Sequence, residues 1–129
     1  MAKKKVEIEM ISYGLYSQWD RSSKNLPKIK KFTHTIPAIL DIEFGYTLQI
    51  KGAKGQQIDF IMKHPPFCDD LGNVRPDFTG SVFVHANDFK FFLGDTIWSP
   101  IEDKCGTWEL ITFLEEKEVA RKKFEITLP

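Results

Sequence analysis

The densest run of side chains able to do chemistry is His64-Pro65-Pro66-Phe67-Cys68-Asp69-Asp70, with His85 further along. Imidazole, thiolate and carboxylate are ligands for zinc, and a His–Cys pair can supply an activated nucleophile. The spacing argues against both. Structural zinc sites repeat close pairs such as Cys-x-x-Cys, and the sequence holds none. Each group also has a structural use, since Asp side chains cap turns and prolines stop strands. His64, Cys68, Asp69 and Asp70 thus stand as candidate metal or nucleophile residues beside the expectation of a structural loop. A calcium reading of Asp69-Asp70-Leu71-Gly72-Asn73 fails on pattern: the third residue is Leu71, and position twelve, where a Glu is needed, is Gly80.

Other motifs are weaker. Gly52-Ala53-Lys54-Gly55 could clasp a phosphate, but no helix follows to present its N-terminus, and a hairpin turn is the expectation. Trp19 and Trp98 stand in or beside loops and could stack on sugars, or simply anchor those loops on the protein. Trp108 is in phase with Leu110 and reads as core.

The elements that must position these groups alternate with period two. Val6, Ile8 and Met10 do so, as do Phe44, Tyr46, Leu48 and Ile50. Ile58, Phe60 and Met62 follow, then Val82 and Val84, Trp108 and Leu110, and Phe124 and Ile126. Such spacing sets one side-chain row on each face of a pleated strand, so these rows predict the core. Glu115-Glu116-Lys117-Glu118 predicts a tight hairpin. The stretches 17–31, 65–77 and about 94–106 read as irregular, and no run of ten residues has helical spacing. About seven short strands predict an all-β, antiparallel sandwich as one domain over residues 1–129.

Two resemblances accompany this reading. The run from Gly106-Thr107-Trp108 to Phe124-Glu125-Ile126 resembles the last hairpin of bacterial immunoglobulin-like domains. That implies an immunoglobulin-like β-sandwich, though without the cysteine pair and third-strand Trp of antibody domains. Ser12-Tyr13-Gly14-Leu15-Tyr16, the run from Ile36-Pro37-Ala38 to Phe44-Gly45-Tyr46, and His64-Pro65-Pro66 resemble a small bacterial family of unknown function. That resemblance implies no activity.

Composition narrows the partners. The 129 residues are 42% hydrophobic and 28% charged, with 18 basic and 18 acidic side chains. A net charge of zero disfavours nucleic acid as a general partner. Eight of the basic groups fall in residues 1–35 against three acidic ones, concentrated in Arg21, Lys24, Lys28, Lys30 and Lys31. Glu7 and Glu9 interrupt any apolar leader core, no long apolar run suggests a membrane span, and two cysteines are few for a secreted scaffold. A cytoplasmic protein with free thiols and no cofactor is expected. Alternation also sends Ile61, Ile111 and Phe113 outward, among Lys63 and Glu109, as a candidate interaction face for a protein partner or a homodimer. Residues 17–31 are the segment expected to cover that face if it is not an interface. The leading expectation is a non-catalytic interaction or accessory module. The alternatives are a metal-dependent or thiol enzyme using the His64–Asp70 loop, and a carbohydrate-binding sandwich using Trp19 and Trp98.

Overall fold

The computed structural model describes residues 5–19 and 25–129. Alternating apolar residues become strands because one face of each can be buried while the other stays wet. Among the described residues nine strands form: β1 (Glu7–Tyr16), β2 (Ile29–Lys31), β3 (Thr35–Pro37), β4 (Glu43–Lys51), β5 (Gln57–Lys63), β6 (Phe78–Phe83), β7 (Asp88–Thr96), β8 (Gly106–Leu114) and β9 (Lys117–Thr127), with one 3-10 turn at Glu102–Lys104. They build a four-stranded sheet, β2-β1-β4-β7, and a five-stranded sheet, β3-β9-β8-β5-β6. All pairs are antiparallel except β3 with β9, which run parallel. Seven strands are long and two are three-residue pieces; the alternating run at Val82 and Val84 falls on the end of β6 and just past it.

The core lies between the sheets. Phe44, Tyr46, Leu48 and Ile50 of β4 face Trp108 and Leu110 of β8 and Phe124 and Ile126 of β9, all fully buried or within 1% of it. Phe44 meets Trp108 edge to face at 5.4 Å and Phe124 at 5.7 Å. The hydroxyls of Tyr46 and Thr112 bond at 2.5 Å across the gap, and burial pushes the Tyr46 phenol well above its usual pKa. Val6, Ile8, Met10, Phe60 and Val82 are only half-buried, packed on the margin of this core rather than inside it. Ile36, Ala53, Phe67 and Ile97 are buried from outside the alternating runs.

Three sequence expectations are corrected. Gly52–Gly55 is not a hairpin: β4 and β5 lie in different sheets, and the loop crosses the sandwich, held by buried Ala53 and by Gly52 and Gly55 N–H bonds to Asn87 and Val84 carbonyls. The 94–106 stretch begins inside a strand, because β7 runs from Asp88 to Thr96. Its alternation is masked by Phe91-Phe92-Leu93, all at 7% exposure or less, with Phe92 covered on the outer side by Tyr16 and Trp19 rings at 4.8 and 5.2 Å. Finally, the described residues of the 17–31 segment, 17–19 and 25–31, do not cover the Ile61–Phe113 face. They end in β2 beside β1, and Trp19 packs on the outer face of the four-stranded sheet. Arg21 and Lys24 of the basic strip lie outside the described residues, while Lys30 and Lys31 lie within β2 and Lys28 just before it. The Glu115-Glu116 turn does close the β8–β9 hairpin, with φ of 47° and 70°. Positive φ at both central residues matches the right-handed strand twist.

Candidate interaction site

The end of the sandwich where β5 stops and β6 starts carries the chemistry-bearing loop. His64 lies between two backbone carbonyls, its Nδ1 2.8 Å from Pro65 O and its Nε2 2.8 Å from Pro76 O. It stacks on Phe67 at 4.3 Å, within a cluster of Phe78, Trp98 and Trp108. Lys104 is buried in the same cluster. Its ammonium bonds Asp103 at 2.5 Å and Pro100 O at 2.9 Å, and lies over the Phe67 and Trp98 rings at 4.7 and 4.5 Å. Paired, hydrogen-bonded and between ring faces, this buried charge meets the conditions under which burial is tolerated. Trp98 is thus an anchor of this cluster, and Trp19 packs on Phe92.

Asp69 caps a turn. Its Oδ1 accepts from the Leu71 and Asn73 amides at 2.9 and 3.0 Å, while its own N–H donates to Asn73 O. Cys68 is exposed beside this turn, pairing with Val74 in a short bridge, and Cys105 is half-buried; both are free thiols. Asp70 is exposed in the same turn. Among the described residues no three His, Cys, Asp or Glu side chains converge on a metal site. The sequence neighbours are therefore divided among separate structural tasks, with His64 tying the loop ends and Asp69 closing its tip.

The Asp69 carboxyl titrates below its ordinary value of 3.8, chiefly because the Asn73 amide donates to the charged form, aided by Leu71 and the nearby Arg75. A depressed folded-state pKa means the stabilisation is complete above 3.8 and is lost as pH falls through the lower folded value. The amide resonances of Leu71 and Asn73 are accordingly expected to shift together only below pH 3.8. A midpoint at or above that value would show that the cap is not formed. Asp69→Ala is expected to reproduce the acid spectrum of the loop at neutral pH.

The expected interaction face is in the predicted register. Ile61 stands opposite Ile111, Asp59 opposite Phe113, and Lys63 opposite Glu109 on β5 and β8. The patch is not open, however, because Ile111 is only 2% exposed. Its neighbours on this face close over it: Ile61 on one side, Arg121 on the other, and Glu109 and Phe113 along the strand. The Arg121 guanidinium bridges Glu109 at 3.0 Å and Glu118 at 2.5 Å, forming a charged cover.

An opening that the sequence does not signal lies at the other side of the sandwich. β7 is the last strand of its sheet and β6 the last of the other. Phe91 of β7 packs over Phe60 of β5 at 6.1 Å, so β6 projects one strand beyond the sheet above it. Trp98 roofs one end of β6 at Phe78, and Val84 is fully buried just past the other. Between them a cleft of about 400 Å³ is floored by Phe60, Met62 and Val82, walled by Phe89 and Phe91, and rimmed by Trp19, Leu26 and Phe92. Phe60 leans so far toward β6 that a Cβ on Gly80 would lie 2.4 Å from its ring.

The free edge of β7 is also polar in its backbone. Gly52 N–H donates to Asn87 O and Ile97 N–H to Ile42 O, and the β4–β7 pairing between them has no bulge. Odd-numbered residues of β7 therefore bond β4, and alternation turns the backbone groups of Asp88, Lys90, Phe92 and Gly94 to the edge. No described residue pairs with them. Lys90 stands exposed at the mouth of the cleft.

Comparison with known proteins agrees with this architecture. The family model described as Domain of unknown function (DUF3859) matches residues 4–126. The crystal structure of an immunoglobulin-like protein from Pseudomonas aeruginosa is similar at a TM-score of 0.76 and 21% identity, covering 98% of this chain and 100% of that one. The fold is thus an immunoglobulin-like β-sandwich. No curated protein matches the sequence.

Proposed function

The chain belongs to the family described as Domain of unknown function (DUF3859), and from that premise we propose that it is a non-catalytic interaction module whose contact surface is the open β6–β7 side. The observation that carries this reading is an apolar cleft bordered by an unpaired strand edge, a combination that a partner can cover and that water serves poorly. The chemistry-bearing residues support it, since His64 and Asp69 are engaged in holding their own loop. We favour this side over Ile61, Ile111 and Phe113, because Ile111 is buried and the Arg121 ion pairs with Glu109 and Glu118 give that face a charged rim. A protein partner suits the site better than nucleic acid, given the zero net charge. An exposed free thiol at Cys68 supports a cytoplasmic, reducing setting.

Site-specific photo-crosslinking in cells tests this reading. A crosslinking amino acid in place of Val82 or Phe92 is expected to trap discrete protein adducts. The same group in place of Lys63 or Lys123, on the charged face, is expected to trap none. Equal trapping at all four positions, or trapping only on the charged face, would overturn the assignment.

A further inference from the structure

We propose that the open side accepts one isolated extended segment of a partner protein, which adds to β7 as a fifth strand and completes the sheet above β6. The inference rests on the reading of this side as the contact surface, and adds the occupant and its chemistry. Three observations point to a strand. The sheets are unequal, so no described residue fills the strand-wide position beside β7, while its floor on β6 is in place. The backbone groups of Lys90 and Phe92 face that position with no partner among the described residues, and an extended chain satisfies such groups where an apolar small molecule would desolvate them without replacement. Apolar side chains line both levels of the edge, Val82 and Phe60 beneath and Trp19 and Phe92 above, so an incoming strand finds contacts for both of its alternating rows.

The same geometry selects against a second copy pairing through its own β7. Two sandwiches joined edge to edge would each bring a projecting β6 into the space beneath the other's β7, which β5 already fills. The occupant is therefore a single strand without a second sheet attached, such as a tail or an interdomain segment. Its inward residues should be aliphatic, to fill the cleft over Val82. An acidic side chain on its outward row would meet the Lys90 ammonium, which has no ion-pair partner among the described residues.

Lys90→Pro isolates the edge. Residue 90 points its N–H away from β4, so proline there keeps the β4–β7 ladder while removing a donor from the free side. Val82→Glu closes the floor by an independent route. A random twelve-residue peptide library displayed on phage is selected on the intact wild-type chain, and the enriched peptides are synthesised. They are expected to alternate apolar residues, to carry a carboxylate, and to bind each variant at least tenfold more weakly, with both variants keeping the wild-type circular dichroism. If Lys90→Pro loses its fold, Val82→Glu and backbone N-methylation of the peptide at alternate residues give the same reading. Failure to enrich any peptide would overturn strand addition, as would enriched peptides that bind Lys90→Pro as tightly as wild type. Decanoate binding abolished by Val82→Glu but kept in Lys90→Pro would assign the cleft to an acyl ligand instead. A wild-type dimer in sedimentation that Lys90→Pro dissociates would assign it to a second copy. Adducts at position 82 together with any of these results would leave the interaction module standing and remove only the strand.

Discussion

Trp108→Ala is expected to destabilise the protein by about 3–5 kcal/mol, the range for deleting a fully enclosed aromatic ring. The side chain has no exposed surface, meets Phe44 edge to face, and donates its indole N–H to Lys104 O at 2.8 Å. Its loss would open a cavity and free the segment that presents Lys104 to Phe67 and Trp98. Phe60→Ala should cost distinctly less, because Phe60 lies half-exposed at the cleft. Urea melts of the two variants, followed by circular dichroism, give the comparison. Equal losses would mean that the open side is as well packed as the centre. A Trp108→Ala loss below about 1 kcal/mol, the size of an ordinary substitution, would remove Trp108 from the core.

Gly45→Ala should be nearly as damaging, on the order of 3 kcal/mol, through backbone overlap rather than lost burial. Gly14, Gly45 and Gly94 lie side by side across β1, β4 and β7. Gly45 has φ of 152°, and a Cβ there would stand 2.1 Å from Leu93 O and 2.6 Å from the Gly94 Cα. Both are main-chain atoms of the paired strand, so relief requires parting β4 from β7. Gly55→Ala is the control. It also has positive φ, at 92°, but a Cβ would meet nothing within 4 Å, so only the local conformational cost of about 1 kcal/mol remains. Thermal melts separate the cases, and equal shifts would show that β4 and β7 can part at little cost.

How far the sequence discloses the molecule depends on how local each feature is. β4 and β9 are legible because large apolar side chains take one face and small or polar ones most of the other, as in Phe44-Gly45-Tyr46-Thr47-Leu48, although both faces of β4 are buried. β7 is hidden because Phe92 is buried on its outer side under Trp19, a contact between residues distant in sequence. Two-residue turn chemistry is local, so Glu115-Glu116 is readable. The crossing at Gly52–Gly55 depends on which strands later pair, and a turn signal carries no such information. The His64–Asp70 run shows the reverse effect, where adjacency in sequence suggests a joint site and the fold gives each group its own partner. The cleft has no sequence signal at all. It exists only because one sheet has four strands and the other five, and strand order is invisible to alternation.

The parallel pairing of β3 with β9 bears on how the molecule is made. Thr35, Ile36 and Pro37 find their partners in Glu125, Ile126 and Thr127, about 90 residues later in the chain. A ribosome adding 5–20 residues per second makes the β9 partner of β3 roughly 5–20 s after β3 itself. Ile36, fully buried in the finished protein, cannot reach its native packing before then. The pairing is therefore among the most non-local in the molecule, and the Ile36 flank cannot be finished until the C-terminal strand is present.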